Sequence, residues 1–184
     1  MTEMEKMIAG EMYCFEDEEI MLAINEAHRK SDILNSTPTT DREAYNKALR
    51  DLIPDAAPSA MIIPPFFCDL GFRITLGERV FINTRCTMLD SGGIRIGKNT
   101  KIGPDCKFYT PQHPFDFEER RKPIERGLGI EIGEDCWLGG GVTVVPGVKI
   151  GDRTIIGAGS VVVHDIPSDV MAAGNPAVVK KKLR

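Results

Sequence analysis

From residue 74 onward an apolar residue recurs at every sixth position, and no other feature restricts the fold of this chain so tightly. The series runs Leu76, Ile82, Met88, Ile96, Ile102 and Phe108, then Ile132, Leu138, Val144, Ile150, Ile156 and Val162. Within each run the spacing holds apart from one slip of two residues at Ser91-Gly92-Gly93. Glycine usually comes next, as at Gly77, Gly97, Gly103, Gly133, Gly139, Gly151 and Gly157. Two positions earlier stands a second inward candidate: Ile74, Val80, Ile94, Thr100, Cys106, Ile130, Cys136, Val142, Val148, Thr154 or Ser160. Each six-residue unit reads as a short strand whose alternate side chains point inward. A turn follows, where glycine tolerates unusual dihedrals. Three units make a triangular coil of about eighteen residues, and stacked coils let like residues fill a narrow prism. The repeat predicts a parallel β-helix.

The repeat breaks once, between Phe108 and Ile132, which stay in phase twenty-four residues apart. A loop over about 110–129 is therefore let out from one corner of a coil without disturbing the ladder. It contains His113, one of three histidines, in "YTPQHPFDFEER". A side chain on such an excursion from a rigid scaffold is where function concentrates.

Residues 1–58 read as a helical segment, with the β-helix over 59–184 ending in a short tail. Thr2-x-x-Glu5 is a capping box opening a helix that Gly10 closes. From Asp17 to about Asn35, Ile20, Ile24, Ala27 and Leu34 fall at helical spacing. Thr40-x-x-Glu43 reads as a second capping box before Tyr45, Ala48, Leu49 and Leu52, and Pro54 and Pro58 end that helix. His28 lies off the apolar stripe and reads as a solvated helix residue.

The net charge of −4 and pI near 5.5 give no reason to expect a nucleic-acid partner. No apolar run approaches the ~18 residues of a membrane span, and the acidic N-terminus is not a secretory signal. Five widely spaced cysteines, Cys14, Cys68, Cys86, Cys106 and Cys136, contain no C-x-x-C and point to a reducing cytoplasm. Cys106 and Cys136 fall on the inward ladder, which makes them poor nucleophiles.

The stretches "PPFFCDLGFRITLGERVFIN", "YTPQHPFD", "CWLGGGVTVVPGVKIGD" and "IGAGSVVVHDIPSDVMAAGNPA", with the N-terminal "MTEMEKMIAGEMY", resemble the maltose/galactoside O-acetyltransferase family of hexapeptide-repeat acyltransferases almost end to end. The resemblance implies a left-handed β-helix, a homotrimer, acetyl-CoA lying along the groove between neighbouring β-helices, and a sugar acceptor in the same cleft. It implies no metal.

On this resemblance His113 is the catalytic base. A neutral imidazole can take the proton of an attacking hydroxyl, an effect of ~10²–10⁴-fold. Glu125 matches a family glutamate that orients the imidazole or holds a sugar hydroxyl. Asp69 in "FFCDLG" and Asn83 in "FINTR" match acceptor-contacting positions, and Asn83 also stands where the repeat otherwise favours glycine. Gly140, where some relatives carry Ser, retains a backbone N–H for an oxyanion. Ala158, Val163 and His164 match cofactor positions, though the family often has Thr-Lys in place of Val163-His164. Lys181 supplies positive charge for the nucleotide phosphates, while Val178 replaces an arginine of some relatives. Phe15 and Ser91 stand where some relatives carry acidic acceptor contacts. Trp137 is expected outside a coil at the cleft.

Direct attack in a ternary complex follows, without an acetyl-enzyme. Three other readings stay open. One is transfer to another acceptor, such as an oligosaccharide, amino sugar or antibiotic. A second is a binding trimer without catalysis. The third is a zinc enzyme of the same fold, which needs three converging histidines where His28, His113 and His164 are widely separated.

Overall fold

The computed structural model describes residues 1–184. Three helices come first. α1 (Glu3–Ala9) opens at the Thr2–Glu5 capping box and ends at Gly10, whose φ of 75° turns its N–H back onto the last helical carbonyls. α2 (Glu18–Ser36) is capped by Asp17. α3 (Arg42–Leu52) begins at Asp41, whose carboxylate accepts from the Ala44 N–H at 3.2 Å. Asp41 thus takes the cap expected of Thr40, because its carboxylate also complements the positive end of the helix.

From Asp55 the chain winds into a parallel β-helix, so the ladders start inside the stretch expected to be helical. The first face stacks Asp55–Ala56, Ile74–Leu76, Ile94–Ile96, Ile130–Ile132 and Lys149–Ile150. The second stacks Met61–Ile62, Phe81–Ile82, Lys101–Ile102, Trp137–Leu138, Ile155–Ile156 and Val170–Gly174, with Ala177–Lys182 folded back antiparallel on the last. The third stacks Phe66–Cys68, Cys86–Leu89, Lys107–Tyr109, Thr143–Val144 and Val161–Val162.

Every one of the apolar ladder residues and second inward candidates is at most 3% exposed. On the third face Cys68, Met88, Phe108, Val144 and Val162 lie in register one above another. Burial of each large side chain contributes roughly 1.5–3 kcal/mol. The polar members are paired: Thr100 Oγ1 donates to Gly133 O at 2.8 Å, and Thr154 Oγ1 to Pro167 O at 2.8 Å.

Two expectations change. Coils below the loop are twenty residues long, since Ile62, Ile82 and Ile102 face one another in register. The slip at Ser91-Gly92-Gly93 is therefore not unique. The coil below carries the same two extra residues between Cys68 and Ile74, at the same corner. Above the loop, Leu138 faces Ile156 and Val144 faces Val162, and the coil is eighteen.

The glycines after the ladder residues serve close approach rather than unusual dihedrals. None of them has positive φ. A Cβ on Gly97 would stand 2.6 Å from Gly133 C, and one on Gly103 would stand 2.6 Å from Gly140 N. Left-handed turn positions fall elsewhere and are held by Arg79, Asn99, Asp135, Arg153 and Asp169 on one edge, and by Arg85, Asp105, Gly141 and Gly159 on another.

The helices close the bottom of the prism, where open strand edges would otherwise invite pairing with another chain. Asn35 does this with its side-chain amide, which donates to Phe66 O at 2.9 Å and accepts from Phe66 N at 2.8 Å. The Tyr45 hydroxyl donates to Ile62 O at 2.6 Å and accepts from Ile62 N at 2.8 Å. Tyr45, Ala48, Leu49 and Leu52 are buried in the main core. His28 is not freely solvated. It is partly buried against the Phe67 ring at 4.9 Å, and its Nε2 has no partner.

Candidate active site

One edge of the prism carries everything irregular. The chain passes from the third face to the first at Asp69–Arg73, at Asp90–Gly93 and through the long loop after Tyr109, and these three crossings stack. The loop is itself folded. Pro111–Gln112 pairs antiparallel with Ile124–Gly127, and Tyr13–Cys14 from the N-terminal segment adds a third strand, Tyr13 facing Glu125. Gly127 lets the returning strand cross the corner below, since a Cβ there would meet Gly92 Cα at 2.5 Å. A short helix, α4 (Phe117–Arg120), caps the outer end on Asp116.

This small sheet places His113 beside Glu125. His113 Nδ1 lies 3.4 Å from Ile124 O. In the tautomer that carries its proton on Nδ1, that nitrogen donates to the carbonyl and Nε2 keeps its lone pair. Nε2 faces Glu125 Oε2 at 3.7 Å. The imidazole side chain is 51% exposed while that of Glu125 is 13% exposed, so the ring is open to a ligand and its neighbour is held from behind. The Phe15 ring meets the imidazole edge-on, at 5.7 Å and 82°.

Behind Glu125 lies a buried acidic cluster. Tyr13, 2% exposed, donates its hydroxyl to Glu125 Oε1. Burial and, after it, that hydrogen bond push the Tyr13 hydroxyl well above its ordinary range. Burial raises Asp69 to about 7, helped by the charges of Asp90 and Glu125. Asp90 is fully buried, and burial lifts it to about 6 against the hydrogen bonds it receives from backbone amides. Its Oδ1 accepts from Leu70 N at 2.8 Å and Asp69 N at 3.1 Å, which fixes the corner that presents Asp69. Ser91 is buried in the same corner with its hydroxyl unpaired.

The other expected residues occupy a different edge. Asn83, Gly140 and Ala158 lie where the chain turns from the second face to the third, and a Cβ on Gly139 would meet Ala158 N at 2.7 Å. Asn83 Oδ1 accepts from Thr84 N at 2.8 Å, a local turn bond. The Gly140 N–H has no backbone partner. Val163 and His164 follow the last strand of the third face, at the upper end of the His113 edge. Lys181 is exposed on the returning strand, paired with Met171, and Trp137 is 57% exposed on the outer second face. Within one chain the third face separates Asn83, Gly140 and Ala158 from His113. Along the axis, Asp69 and Asn83 lie in the lower coils and Gly140, Ala158, Val163 and His164 in the upper ones.

Of the four buried cysteines, Cys136 is pushed up by burial, and Cys86 Sγ contacts Gly103 O at 3.3 Å. None faces the site. No group of three or more His, Cys, Asp or Glu side chains is arranged to hold a metal ion.

Residues 6–56 match the maltose acetyltransferase hexapeptide capping motif, and residues 129–164 match the bacterial transferase hexapeptide family of six repeats. A maltose O-acetyltransferase from Clostridium difficile 630 superposes with a TM-score of 0.97, at 38% identity over 100% of this chain and 98% of that one. Nodulation protein L of Rhizobium meliloti is 41% identical over 97% of this chain and 98% of its own length. The chain belongs to the maltose O-acetyltransferase family of hexapeptide-repeat acyltransferases. A further member, the hexapeptide-repeat-containing acetyltransferase of Vibrio cholerae solved with acetyl coenzyme A, has a TM-score of 0.88 at 33% identity over 100% of both chains. Members of this family are acetyltransferases, so the helical cap, the coils and the loop described above are the parts of an acetyltransferase. Sequence reasoning passed over two residues of the site, Asp90 at the corner below and Tyr13 in the N-terminal segment. Tyr13 stands outside the repeat, and only strand pairing with the loop brings it to Glu125.

Proposed function

We propose that the protein transfers an acetyl group from acetyl-CoA to a sugar hydroxyl, with His113 as general base. The observation that carries this reading is the exposed imidazole, with Nδ1 3.4 Å from Ile124 O and Nε2 facing Glu125 at 3.7 Å; with the proton on Nδ1, Nε2 is free to act as the base. The acceptor O–H gives its proton to Nε2 as its oxygen attacks the thioester carbonyl. The carbon–sulfur bond then breaks, and the coenzyme A thiolate takes the proton back from the imidazolium. Glu125 stands on the Nε2 side of the ring, so its carboxylate stabilises the imidazolium and holds an acceptor hydroxyl. Orientation of the ring falls to Ile124. Asp69, protonated through much of the acid range, donates to the acceptor.

The two-edge distribution supports a homotrimer with sites between subunits. Asn83, Gly140 and Ala158 of one chain meet His113 and Asp69 of a neighbour when two edges are apposed. Asn83 then offers its amide N–H₂, and the Gly140 N–H receives the developing oxyanion. The low-to-high order of acceptor and cofactor residues sets acetyl-CoA along the upper groove, with Val163, His164 and Lys181 toward its nucleotide end. Five unpaired thiols suit a cytoplasmic enzyme.

The test is coenzyme A release with glucose, maltose, galactosides and chitooligosaccharides as acceptors. At least one sugar is expected to support turnover, and His113→Ala is expected to lower it by at least about a hundredfold with assembly intact. Undiminished turnover in that variant, or a flat response to every sugar, refutes the assignment.

A further inference from the structure

The buried hydroxyl of Tyr13 lies one hydrogen bond behind the residue that faces the base, with the Ser91 side chain as its other polar neighbour. Tyr13 is 2% exposed and donates to Glu125 Oε1, while the opposite oxygen, Oε2, faces His113 Nε2 at 3.7 Å. A glutamate has three side-chain torsions and swings freely unless one oxygen is pinned. The pin is placed by the main chain, because Tyr13 and Glu125 are directly opposed in the antiparallel pair between the N-terminal strand and the loop.

That strand is in turn fixed by α1. Glu3, in its first turn, accepts the Cys14 N–H at 2.6 Å and pairs with Lys6 at 2.6 Å. Tyr13 and Met7 pack with Ile20 and Leu70 in a separate small core, against which Phe15 also rests. The groups facing Glu125 are Tyr13 from the N-terminal strand, His113 from the loop and Asp69 from the corner below. Tyr13 alone among them donates a hydrogen bond to the carboxylate.

We infer that Tyr13 is a positioning residue for acetyl transfer: its hydroxyl fixes the Glu125 carboxylate so that Oε2 meets His113 Nε2, making the N-terminal segment part of the catalytic apparatus. The inference rests on the proposed role of His113. It assigns the helical segment a task beyond covering the prism. The strand it contributes sets a group that acts through Glu125 on the base.

Tyr13→Phe removes only the hydroxyl and keeps the ring in its core. Loss of a hydrogen bond to a charged group predicts a fall in kcat of roughly 10–100-fold. The KM for acetyl-CoA is expected to stay within about twofold, because the cofactor residues lie in the upper coils. In the double variant with Glu125→Gln, turnover is expected to match Glu125→Gln alone, since both substitutions disable one unit. The same order is expected in the slow release of coenzyme A to water, read without any sugar. Assembly state and melting temperature, measured in parallel, identify a variant that has merely lost its fold; Tyr13→His, which retains a donor, then serves as the second probe and is expected to keep more activity than Tyr13→Leu. Wild-type kcat in Tyr13→Phe, or penalties that multiply in the double variant, overturns the inference. Full activity in His113→Ala instead overturns the proposed function, so the two failures are distinguishable.

Discussion

Gly103 and Gly159 stand on the same edge of the prism, yet the structure requires glycine only at Gly103, and the two predict different outcomes on substitution. A Cβ on Gly103 would lie 2.6 Å from Gly140 N, 2.7 Å from Gly139 C and 2.9 Å from Gly140 Cα. All three are backbone atoms of the next coil, so no side chain can swing aside. Relief requires the coils to part by about 0.8 Å, which strains the Gly103 N–H to Leu138 O bond, now 2.8 Å. Overpacking of this kind costs roughly 1–3 kcal/mol, and a weakened backbone hydrogen bond adds about 1. Gly103→Ala is therefore expected to destabilise by roughly 2–4 kcal/mol, a fall of about 4–16 °C in Tm at ~2–4 °C per kcal/mol for a chain of this size. Gly159 has φ of 69° and nothing within 4 Å of where a Cβ would stand, while Arg85 and Asp105 occupy the equivalent conformation in lower coils. Gly159→Asn is expected to stay within about 0.5 kcal/mol of the parent. Thermal unfolding of both variants at one protein concentration is the assay. Equal melting temperatures for parent and Gly103→Ala would refute the close-approach argument.

Asp69, raised from its ordinary 3.8 to about 7, holds a proton in the folded state that the unfolded chain releases. Its contribution to stability is thus fullest below pH 4 and is lost as pH rises toward 7. Asp69→Asn should flatten that decline in urea midpoints taken from pH 4 to 8, and an unchanged slope would count against the buried acid. Asn35→Ala leaves both backbone groups of Phe66 without partners and should cost roughly 2–3 kcal/mol in urea unfolding; a loss under 0.5 would show the cap is not held there. Only Cys14 of the five thiols is more than slightly exposed, so the native protein should react quickly with at most one equivalent of Ellman's reagent. Rapid modification of two or more would contradict the buried ladder.

Much of the scaffold was legible because a hexad repeats one local decision many times. Ile82, Ile102, Leu138 and Ile156 could be assigned to one ladder from spacing alone, and all are at most 1% exposed. Local reasoning failed where two coils meet. Gly97 and Gly103 look like flexible turn residues in sequence, but their necessity comes from backbone in the adjacent coil. The twenty-residue coils were hidden for a similar reason. "CDLGFR" shows no disturbed rhythm by itself and is revealed as an insertion only when Phe66, Phe67 and Cys68 pair with Cys86, Thr87 and Met88. Asp41 displaced Thr40 as a cap because both residues satisfy the sequence rule and only the helix start decides between them.

The candidate site divides along the same line. Sequence alone determined the β-helix, the place of the loop and the prominence of His113, because periodicity and its single large interruption are one-dimensional facts. Tertiary structure alone decided that Nδ1 faces a carbonyl and Nε2 faces Glu125, and that Tyr13 reaches that carboxylate across more than a hundred residues of chain. It also decided that Asn83, Gly140 and Ala158 occupy a different edge from His113. Such relations depend on strand pairing and on the width of a face. Neither quantity is written in the spacing of residues along the chain.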